Sequence, residues 1–459
     1  MIPKRALKEL SRTLGPDRLI TGRDALSLYG TDATKLSYTA DAVAFPGRIQ
    51  EIADILSLAN QERFPVIPRG AGSGKSGGAL PVLGGLVLAM DRFDRILRID
   101  DQNLVARVES GVITARLQEE VEKVGLFYPP DPASIRISTI GGNVAECAGG
   151  LRAVKYGVTR DYVLGLTVVL PTGQIVRTGV ETAKGVVGYD LTRLIVGSEG
   201  TLAVIVDITL RLIPKPGGTR TMIAFFRNPS STVHAVSEII RNKIVPAALE
   251  FMDSLCIECV RDEIGLVIPD AARALLLIEV DGDQALTRRE AKRVREICMG
   301  QGAIEVQGAS GKKKSERLWE ARRNVSPAMY KLRPDKVSED VVVPRNRMAE
   351  LVSFLGELSG KSGLPIASYG HAGDGNIHVN LMLDKNNPEE VKKADRAVGE
   401  LFRKVLEMKG TLSGEHGIGI TKAPYLGMEI SKPALDLMVR VKKAFDPKGI
   451  LNPGKIFSS

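Results

Sequence analysis

The sequence predicts an α+β protein of more than one domain. The chain has 459 residues, more than one ordinary hydrophobic core supports, so two or three domains are expected. Strand-like runs such as 272–280 alternate with helical patterns such as 285–298. Proline and glycine in 212–218 mark a boundary. We therefore predict one domain over 1–215, a second over 216–420, and a C-terminal segment over 421–459 that returns to the first.

Composition narrows the class of protein. A hydrophobic content of 44% and a charged content of 25% are typical of a globular chain. No run approaches ~18 apolar residues, so no membrane-spanning helix is expected. Residues 1–15 are basic and amphipathic without an apolar centre, which favours a surface helix over a secretory signal.

The charge pattern argues against a nucleic-acid-binding protein, and the cysteine content argues against a disulfide-rich protein. The net charge is +9, but aromatic residues make up 5% and do not interleave with basic ones, so nucleic acid is not an expected partner. The basic run 312–314 is interpreted as a solvated loop. Four cysteines form no disulfide framework, which favours a reducing, cytoplasmic compartment. Cys256 and Cys259 lack a second pair for zinc and are interpreted as one face of a buried helix.

The first glycine cluster spans residues 68–81. Residues 72–77 match G-x-G-x-x-G, and 74–76 resemble the end of a Walker A loop. Both motifs require a helix directly after the loop, whereas the residues that follow predict a strand. The Walker A pattern also fails at Arg69, where its first glycine would stand. We predict a strand at 64–68 and then a nest of backbone N–H groups that can bind a pyrophosphate without a helix.

Two further clusters follow. Residues 129–166 contain three prolines that fix an extended backbone, two Gly-Gly pairs that permit close contact with a flat ligand, and the hydroxyls of Ser138 and Thr139. Residues 189–213 predict a helix, a tight Gly-Ser-Glu-Gly turn and a strand that alternates at period two.

Three of the four histidines lie in two short phrases, 371–378 and 414–417. The first phrase predicts two strands joined by Ala-Gly-Asp-Gly. If His371 lies opposite Asn376, His378 shares its sheet face, with diagonal Cα atoms ~7–8 Å apart. With Glu415 as third ligand, two nitrogens and one oxygen suit zinc, manganese or ferrous iron. The alternative is a hairpin whose histidines are satisfied by hydrogen bonds. His416 is expected to face away from Glu415, as neighbours on an extended chain do, which suits a general base.

The three glycine clusters, in this order and spacing, resemble the FAD-binding domain of the vanillyl-alcohol oxidase/PCMH flavoprotein superfamily. The phrases at 319–329, 338–344, 369–380, 413–419 and 445–457 are similar to those of glycolate oxidase catalytic subunits and D-lactate dehydrogenases. The resemblance spans nearly the whole chain. It implies a two-part PCMH-type FAD-binding domain, a ferredoxin-like α+β cap domain that carries the metal site and binds substrate, and a helical C-terminal return segment.

The resemblance also implies residue roles. Lys75 stands where an apolar residue is more usual, and Cys147 where an asparagine is common. No histidine lies in residues 1–215, so FAD is expected to be bound non-covalently. The implied FAD contacts are Arg69, Gly70, Ala71, Gly72, Ser73, Gly74, Ser76, Gly77, Pro130, Asp131, Ser138, Thr139, Gly141, Gly142, Asn143, Ala148, Gly149, Gly200, Val204 and Asn452.

In the family this chain resembles, His416 is the base and His371, His378 and Glu415 hold the metal, with zinc expected first and manganese or iron as alternatives. Arg322 matches the arginine that binds the substrate carboxylate, and the neighbouring Arg323 is the competing choice. Relatives that act on larger diacids tend to carry a lysine where Ser338 stands, which favours a monocarboxylate here, although Lys336 is close by.

The resemblance therefore implies FAD- and metal-dependent oxidation of a small D-2-hydroxy acid, D-lactate or glycolate, to the 2-oxo acid, with hydride transfer to flavin N5. Electrons would pass to an iron–sulfur subunit, an electron-transfer flavoprotein, a cytochrome or a quinone. The alternatives are a D-2-hydroxyglutarate-type dehydrogenase, a non-catalytic FAD-binding subunit of a glycolate oxidase complex, or a zinc hydrolase without flavin. A homodimer or a heteromeric complex is expected, in the cytoplasm or held at the membrane surface through partners.

Overall fold

The computed structural model describes residues 1–262, 265–309 and 311–457. The predicted α+β class is confirmed. The chain divides into two compact units. The first consists of Met1–Gly149, Val158–Lys215 and Glu415–Ser459, and the second of Gly150–Gly157 and Pro216–Gly414. Within the described residues, no helix is both long and apolar enough to cross a membrane.

Helices and strands are numbered in chain order. The strands are β1 (Leu19–Ile20), β2 (Ala42–Ala44), β3 (Val66–Arg69), β4 (Leu86–Ala89), β5 (Ile96–Asp100), β6 (Val105–Glu109), β7 (Leu126–Phe127), β8 (Val163–Val169), β9 (Ile175–Gly179), β10 (Val204–Arg211), β11 (Ile213–Pro214), β12 (Gly218–Phe226), β13 (Ala248–Asp253), β14 (Ala274–Gly282), β15 (Ala303–Ala309), β16 (Asp335–Val342), β17 (Ile366–His371) and β18 (Asn376–Leu383). The α-helices are α1 (Lys4–Leu14), α2 (Arg23–Tyr29), α3 (Ile49–Glu62), α4 (Thr114–Lys123), α5 (Ile140–Glu146), α6 (Ala153–Tyr156), α7 (Leu191–Ile195), α8 (Pro229–Arg241), α9 (Ser254–Val260), α10 (Gln284–Gly300), α11 (Lys312–Ala328), α12 (Met348–Ser362), α13 (Pro388–Glu407), α14 (Leu426–Glu429) and α15 (Lys432–Phe445).

The first unit contains a four-stranded sheet in the order β1-β2-β4-β3. Strands β2, β4 and β3 run parallel, and β1 is antiparallel to β2. Its core packs α1 and α3 against the sheet. Ile450 and Leu451 join this core from the C-terminal segment, and Leu451 forms a parallel bridge with Val66. The N-terminal helix predicted from the amphipathic start is α1, which buries Ala6, Leu10 and Leu14 on one face.

A five-stranded antiparallel sheet completes the first unit, in the order β5-β6-β10-β8-β9. The strand predicted after the third glycine cluster is β10. It is the central strand of this sheet, and all but two of its eight residues are buried. Strands β7 and β11 form a separate, short antiparallel pair, and β11 ends directly before Lys215.

The second unit is built on one seven-stranded antiparallel sheet in the order β15-β12-β14-β13-β17-β18-β16. A core of α9, α11 and sheet residues covers part of it. Cys256 and Cys259 lie buried on α9, as the pattern predicted. The loop predicted at 312–314 is wrong, because these residues begin helix α11 after Gly311.

Candidate functional site

The first glycine loop connects two parallel strands. Strand β3 leads into residues 70–85, which the structure describes in full and which contain no helix, and β4 follows as β3's hydrogen-bonded neighbour. The prediction of a strand in place of a phosphate-binding helix is confirmed. At Gly70, a Cβ atom would lie 2.4 Å from Oγ1 of Thr139, so only glycine lets this loop approach the second cluster so closely.

The second cluster forms the start of α5. Thr139 precedes the helix, and its Oγ1 accepts a hydrogen bond from the backbone N–H of Gly142 at 3.2 Å. Asn143 is buried and donates through Nδ2 to Oγ1 of Thr114 at 2.7 Å, and that hydroxyl contacts the carbonyl of Ser138 at 3.0 Å. These bonds fix the loop that precedes the helix as well as its first turn.

The loops of the first unit line one cavity. Fifteen of the twenty residues predicted to contact the cofactor lie on its wall. They are Arg69, Gly70, Ala71, Gly72, Ser73, Gly74, Ser138, Thr139, Gly141, Gly142, Asn143, Ala148, Gly149, Gly200 and Val204. The five that do not line it are Ser76, Gly77, Pro130, Asp131 and Asn452.

Two of those five, Asn452 and Ser76, form hydrogen bonds that hold loops of the cavity wall. Asn452 donates through Nδ2 to the carbonyl oxygens of Gly78 at 2.9 Å and Glu199 at 2.7 Å, which ties together two loops of the wall. The carbonyl of Ser76 accepts a hydrogen bond from the N–H of Ile420 at 2.8 Å. These hydrogen bonds fix the loops of the wall.

Two acidic side chains of the wall were not predicted. Burial, followed by repulsion from Glu199 and Asp32, raises the pKa of Glu146 well above its usual value. Burial also raises the pKa of Glu199, and hydrogen bonds from Ile418 and Gly419 offset part of this effect. Both carboxyl groups lie close to Gly417, where a Cβ atom would be 2.3 Å from Oε2 of Glu146 and 2.9 Å from Oε1 of Glu199.

Glu415 and His416 also line this cavity. Nε2 of His416 lies 4.0 Å from Oε1 of Glu415, and the two side chains are 9% and 16% exposed. The expectation that they face opposite ways is wrong. The segment from 412 to 420 is a series of bends and turns, so the alternation of an extended strand does not apply to it.

The second unit carries the predicted histidine hairpin. Strands β17 and β18 pair with His371 directly opposite Asn376, which confirms the predicted register. The rings of His371 and His378 therefore lie on one sheet face, with centroids 5.2 Å apart and planes at 84°. Both histidines are buried, at 5% and 4% exposure.

The donor set of the predicted metal ligands fits a divalent ion. Glu415 follows Gly414, the last residue of the second unit, by one peptide bond, and Gly414 is fixed by a hydrogen bond from its N–H to Oδ2 of Asp340 at 2.9 Å. His371 and His378 of the second unit each offer an imidazole nitrogen as a ligand atom, and Glu415 of the first unit offers a carboxylate oxygen. Two imidazole nitrogens and one carboxylate oxygen are ligands that zinc and related metals prefer.

Arg322 occupies a buried position on α11, whereas Arg323 is exposed and donates to the carbonyl of Glu316. Nε of Arg322 lies 2.6 Å from Oε2 of Glu250, and its guanidinium carbon lies 4.5 Å from the ring centre of Tyr369. Only Arg322 of the two is thus held in the interior beside the histidine strands.

Glu250 is the acidic residue that the sequence did not reveal. It lies on β13 directly opposite His371 of β17, and its Oε1 is 2.6 Å from Nδ1 of His371. Burial raises the pKa of Glu250, but the attraction of His371 and Arg322, together with their hydrogen bonds, outweighs burial and lowers the pKa overall. The phrase Leu-Glu-Phe-Met-Asp at 249–253 predicts a buried strand, and a charged residue inside it was the available signal.

Comparison with known proteins gives the family. Residues 40–179 match an FAD binding domain, and residues 215–456 match the C-terminal domain of FAD linked oxidases. The chain is 44% identical to the glycolate oxidase subunit GlcD of Bacillus subtilis over 459 residues, covering 100% of this chain and 98% of that one. The chain belongs to the FAD-linked oxidase family.

Two further comparisons place this FAD-linked oxidase among its relatives. It is 35% identical to a D-lactate dehydrogenase of Anaerostipes hadrus, over 98% of this chain and 96% of that one. In fold it is similar to p-cresol methylhydroxylase, with a TM-score of 0.82 at 17% identity over 99% of this chain and 96% of the other. The architecture is thus that of the PCMH flavoproteins, and the protein is an FAD-linked oxidoreductase.

The cavity of this FAD-linked oxidase fits its cofactor. Among the described residues, Nη1 of Arg69 and Oγ of Ser110 are buried without a hydrogen-bond partner, and both residues line the cavity. Buried polar atoms are costly unless they are paired, so the wall requires a ligand with polar groups there. A dinucleotide with a pyrophosphate meets that requirement.

Proposed function

We propose that this FAD-linked oxidase converts a small D-2-hydroxy acid, D-lactate or glycolate, to the 2-oxo acid in a reaction that depends on FAD and a divalent metal. The observation that carries the proposal is the group around Glu250, where a buried arginine and a buried imidazole converge on one carboxylate. A buried arginine suits a substrate with a carboxylate. The names of the relatives, glycolate oxidase subunit and D-lactate dehydrogenase, indicate the same substrate class.

Each residue then has a role. Arg322 binds the substrate carboxylate through its guanidinium. His416, whose side chain is largely buried, accepts the proton of the substrate hydroxyl as the general base. Bound FAD supplies the acceptor for the hydride that leaves the carbinol carbon. The wall residues from Arg69 to Gly74 and from Ser138 to Asn143 would hold it, and with no histidine in residues 1–215 the attachment is expected to be non-covalent.

The metal has a complementary role. His371, His378 and Glu415 would hold it, and it would supply a positive charge beside the substrate oxygens. Zinc is the first choice, and manganese and ferrous iron share these ligand types. Each of the three residues is at most partly exposed, so the charge of an ion that they held would be weakly screened by water.

The reaction also needs an electron acceptor, which a partner would supply. Relatives from Bacillus subtilis and Escherichia coli carry the word subunit in their names, which supports membership of a larger assembly. We propose an iron–sulfur subunit, an electron-transfer flavoprotein, a cytochrome or a quinone as acceptor, in the cytoplasm or at the membrane surface.

Anaerobic bleaching of the flavin tests the substrate without knowledge of the acceptor. The purified yellow protein is mixed with D-lactate, L-lactate, glycolate or D-2-hydroxyglutarate, and the loss of the oxidised flavin spectrum is followed. D-lactate or glycolate should bleach it and L-lactate should not. Bleaching by D-2-hydroxyglutarate alone would establish the diacid dehydrogenase instead, and no bleaching by any 2-hydroxy acid would refute the proposal.

Metal removal is a separate test. A chelator should stop bleaching by the active substrate and leave the FAD content unchanged, and addition of zinc, manganese or ferrous ions should restore it. Substitution of His378 by alanine should prevent that restoration. Full activity in protein shown by elemental analysis to lack metal would refute the metal and leave the flavin chemistry standing.

A further inference from the structure

Glu250 is a carboxylate with no exposure to solvent. Its side chain is 0% exposed, on the central part of strand β13. Burying a charge costs several kcal/mol unless partners compensate for the lost hydration. Two partners do so here, since its two oxygens are each 2.6 Å from a nitrogen, Nε of Arg322 on α11 and Nδ1 of His371 on β17. One carboxylate thus joins the residue proposed to bind substrate to a residue proposed to bind metal.

The contact with His371 decides which ring nitrogen carries the proton. An ionised carboxylate can only accept hydrogen bonds, so Nδ1 of His371 donates to Oε1 of Glu250. The lone pair of the neutral ring is then on Nε2. A carboxylate in this position orients the imidazole and increases its basicity as a ligand. Because β13 and β17 place these two residues directly opposite each other, the sheet itself fixes the pair.

The hydrogen bond between Glu250 and Arg322 restricts the orientation of the guanidinium group. The hydrogen bond to Glu250 uses Nε, and the central carbon of the guanidinium lies over the ring of Tyr369, 4.5 Å from the ring centroid. A planar group held at one edge and on one face has little rotational freedom. Tyr369 also packs against His378, with ring centroids 5.2 Å apart. Contacts with Glu250 and Tyr369 therefore restrict the orientation of the guanidinium and of both imidazoles.

We propose that Glu250 is a positioning residue that sets the tautomer of His371 and the orientation of Arg322 together, so that metal affinity and recognition of the substrate carboxylate depend on one buried side chain. This inference rests on the proposed function. The competing explanation is that Glu250 only stabilises the second unit by joining a helix to the sheet.

Asp253 offers a matched control for that explanation. It is on the same strand three residues later, it is partly buried, and it accepts hydrogen bonds from Cys256 and Ser368 of neighbouring elements. It contacts neither His371 nor Arg322 through any hydrogen bond of the described residues. Asp253→Asn therefore removes a partly buried, hydrogen-bonded carboxylate from the same strand without disturbing the proposed ligands.

The experiment titrates metal into FAD-loaded, chelator-treated protein. Co²⁺ is added to the wild type, Glu250→Gln and Asp253→Asn and followed by its visible absorption, and Zn²⁺ affinity is then measured by competition. We expect Glu250→Gln to weaken binding about 10–100-fold, the usual cost of losing a carboxylate behind a histidine ligand. Its Co²⁺ spectrum should also change, while Asp253→Asn should lose thermal stability and keep wild-type affinity. Equal affinities in Glu250→Gln and the wild type would overturn the inference.

The Glu250→Gln variant also tests the proposed role of Glu250 in orienting Arg322. At saturating metal, Glu250→Gln should raise the KM for the active 2-hydroxy acid about 10-fold or more. An unchanged KM would remove the Arg322 half of the proposal. If Glu250→Gln does not fold, Glu250→Asp keeps the charge but is too short to reach both partners, and wild-type affinity there would equally overturn the inference. If the wild type binds no Co²⁺ or Zn²⁺ at all, the proposed metal itself fails, which is a different result.

Discussion

Oε2 of Glu199 lies 2.7 Å from the backbone nitrogen of Gly419. Oε1 of the same carboxylate accepts from the N–H of Ile418 at the same distance, so one side chain holds two consecutive peptide groups. Glu199 is itself tied by its carbonyl to Nδ2 of Asn452. The segment that follows the proposed base His416 is thus fixed by a residue more than two hundred positions earlier in the chain.

Glu199→Gln should loosen this segment. The amide replaces one accepting oxygen with an N–H₂ group, which would point at a backbone N–H, at a cost of about 1–3 kcal/mol for the unsatisfied pair. The rate of anaerobic flavin reduction should fall about 10-fold or more, with FAD content retained. Glu181→Gln, a change at a partly exposed surface ion pair with Arg98, should have no effect. A wild-type rate in Glu199→Gln would show that the hydrogen bonds of Glu199 to Ile418 and Gly419 are not needed for proton transfer to His416.

His416→Ala should abolish flavin reduction. Loss of a general base typically costs about 10²–10⁴-fold in rate, and the yellow FAD-bound protein should persist because the predicted FAD contacts from Arg69 to Gly74 and from Ser138 to Asn143 are unchanged. His234→Ala on the exposed face of α8 is the control. Stopped-flow measurement of anaerobic bleaching decides the matter, and an unchanged rate in His416→Ala would exclude it as the base.

Arg322→Lys should weaken substrate binding. A lysine keeps the charge but loses the planar fork, and a charge-assisted hydrogen bond is worth about 1.5–3 kcal/mol. We expect KM for the active 2-hydroxy acid to rise about 10-fold or more. Arg323→Lys, one position later and exposed, should leave KM unchanged. If the two variants exchange these results, the carboxylate is bound by Arg323.

How far the sequence predicted this site depends on the separation between the partners. The register of His371 and Asn376 followed from a four-residue turn, a local feature that strand periodicity fixes. The bond between His371 and Glu250 spans 121 residues, and that between Ile418 and Glu199 spans 219. No local sequence pattern shows which distant strand or loop will pack beside a given residue. The facing of Glu415 and His416 was mispredicted for a related reason, since an extended backbone was assumed where the structure has bends.

The stability of the fold should depend on pH through Lys455, which is 3% exposed and donates to the carbonyl of Leu80 at 2.6 Å. Burial lowers the pKa of Lys455 from 10.5 to about 8, although Glu199 and Asp32 attract its charge. Below pH 8 the lysine is protonated in both the folded and the unfolded chain. Between pH 8 and 10.5 the unfolded chain holds the proton that the folded chain has released, so this residue's contribution to stability rises with pH.

Lys455→Met removes that contribution and isolates it. The free energy of unfolding of the wild type, relative to Lys455→Met, should increase by about 2 kcal/mol between pH 7.5 and 9.5. The comparison cancels the titration of other groups, because both proteins share them, and thermal midpoints at each pH provide the measurement. Lys448→Met, an exposed lysine of the same segment, should follow the wild type across the range. A difference between wild type and Lys455→Met that stays constant or shrinks with pH would mean that Lys455 keeps its charge in the interior, held by Glu199 and Asp32.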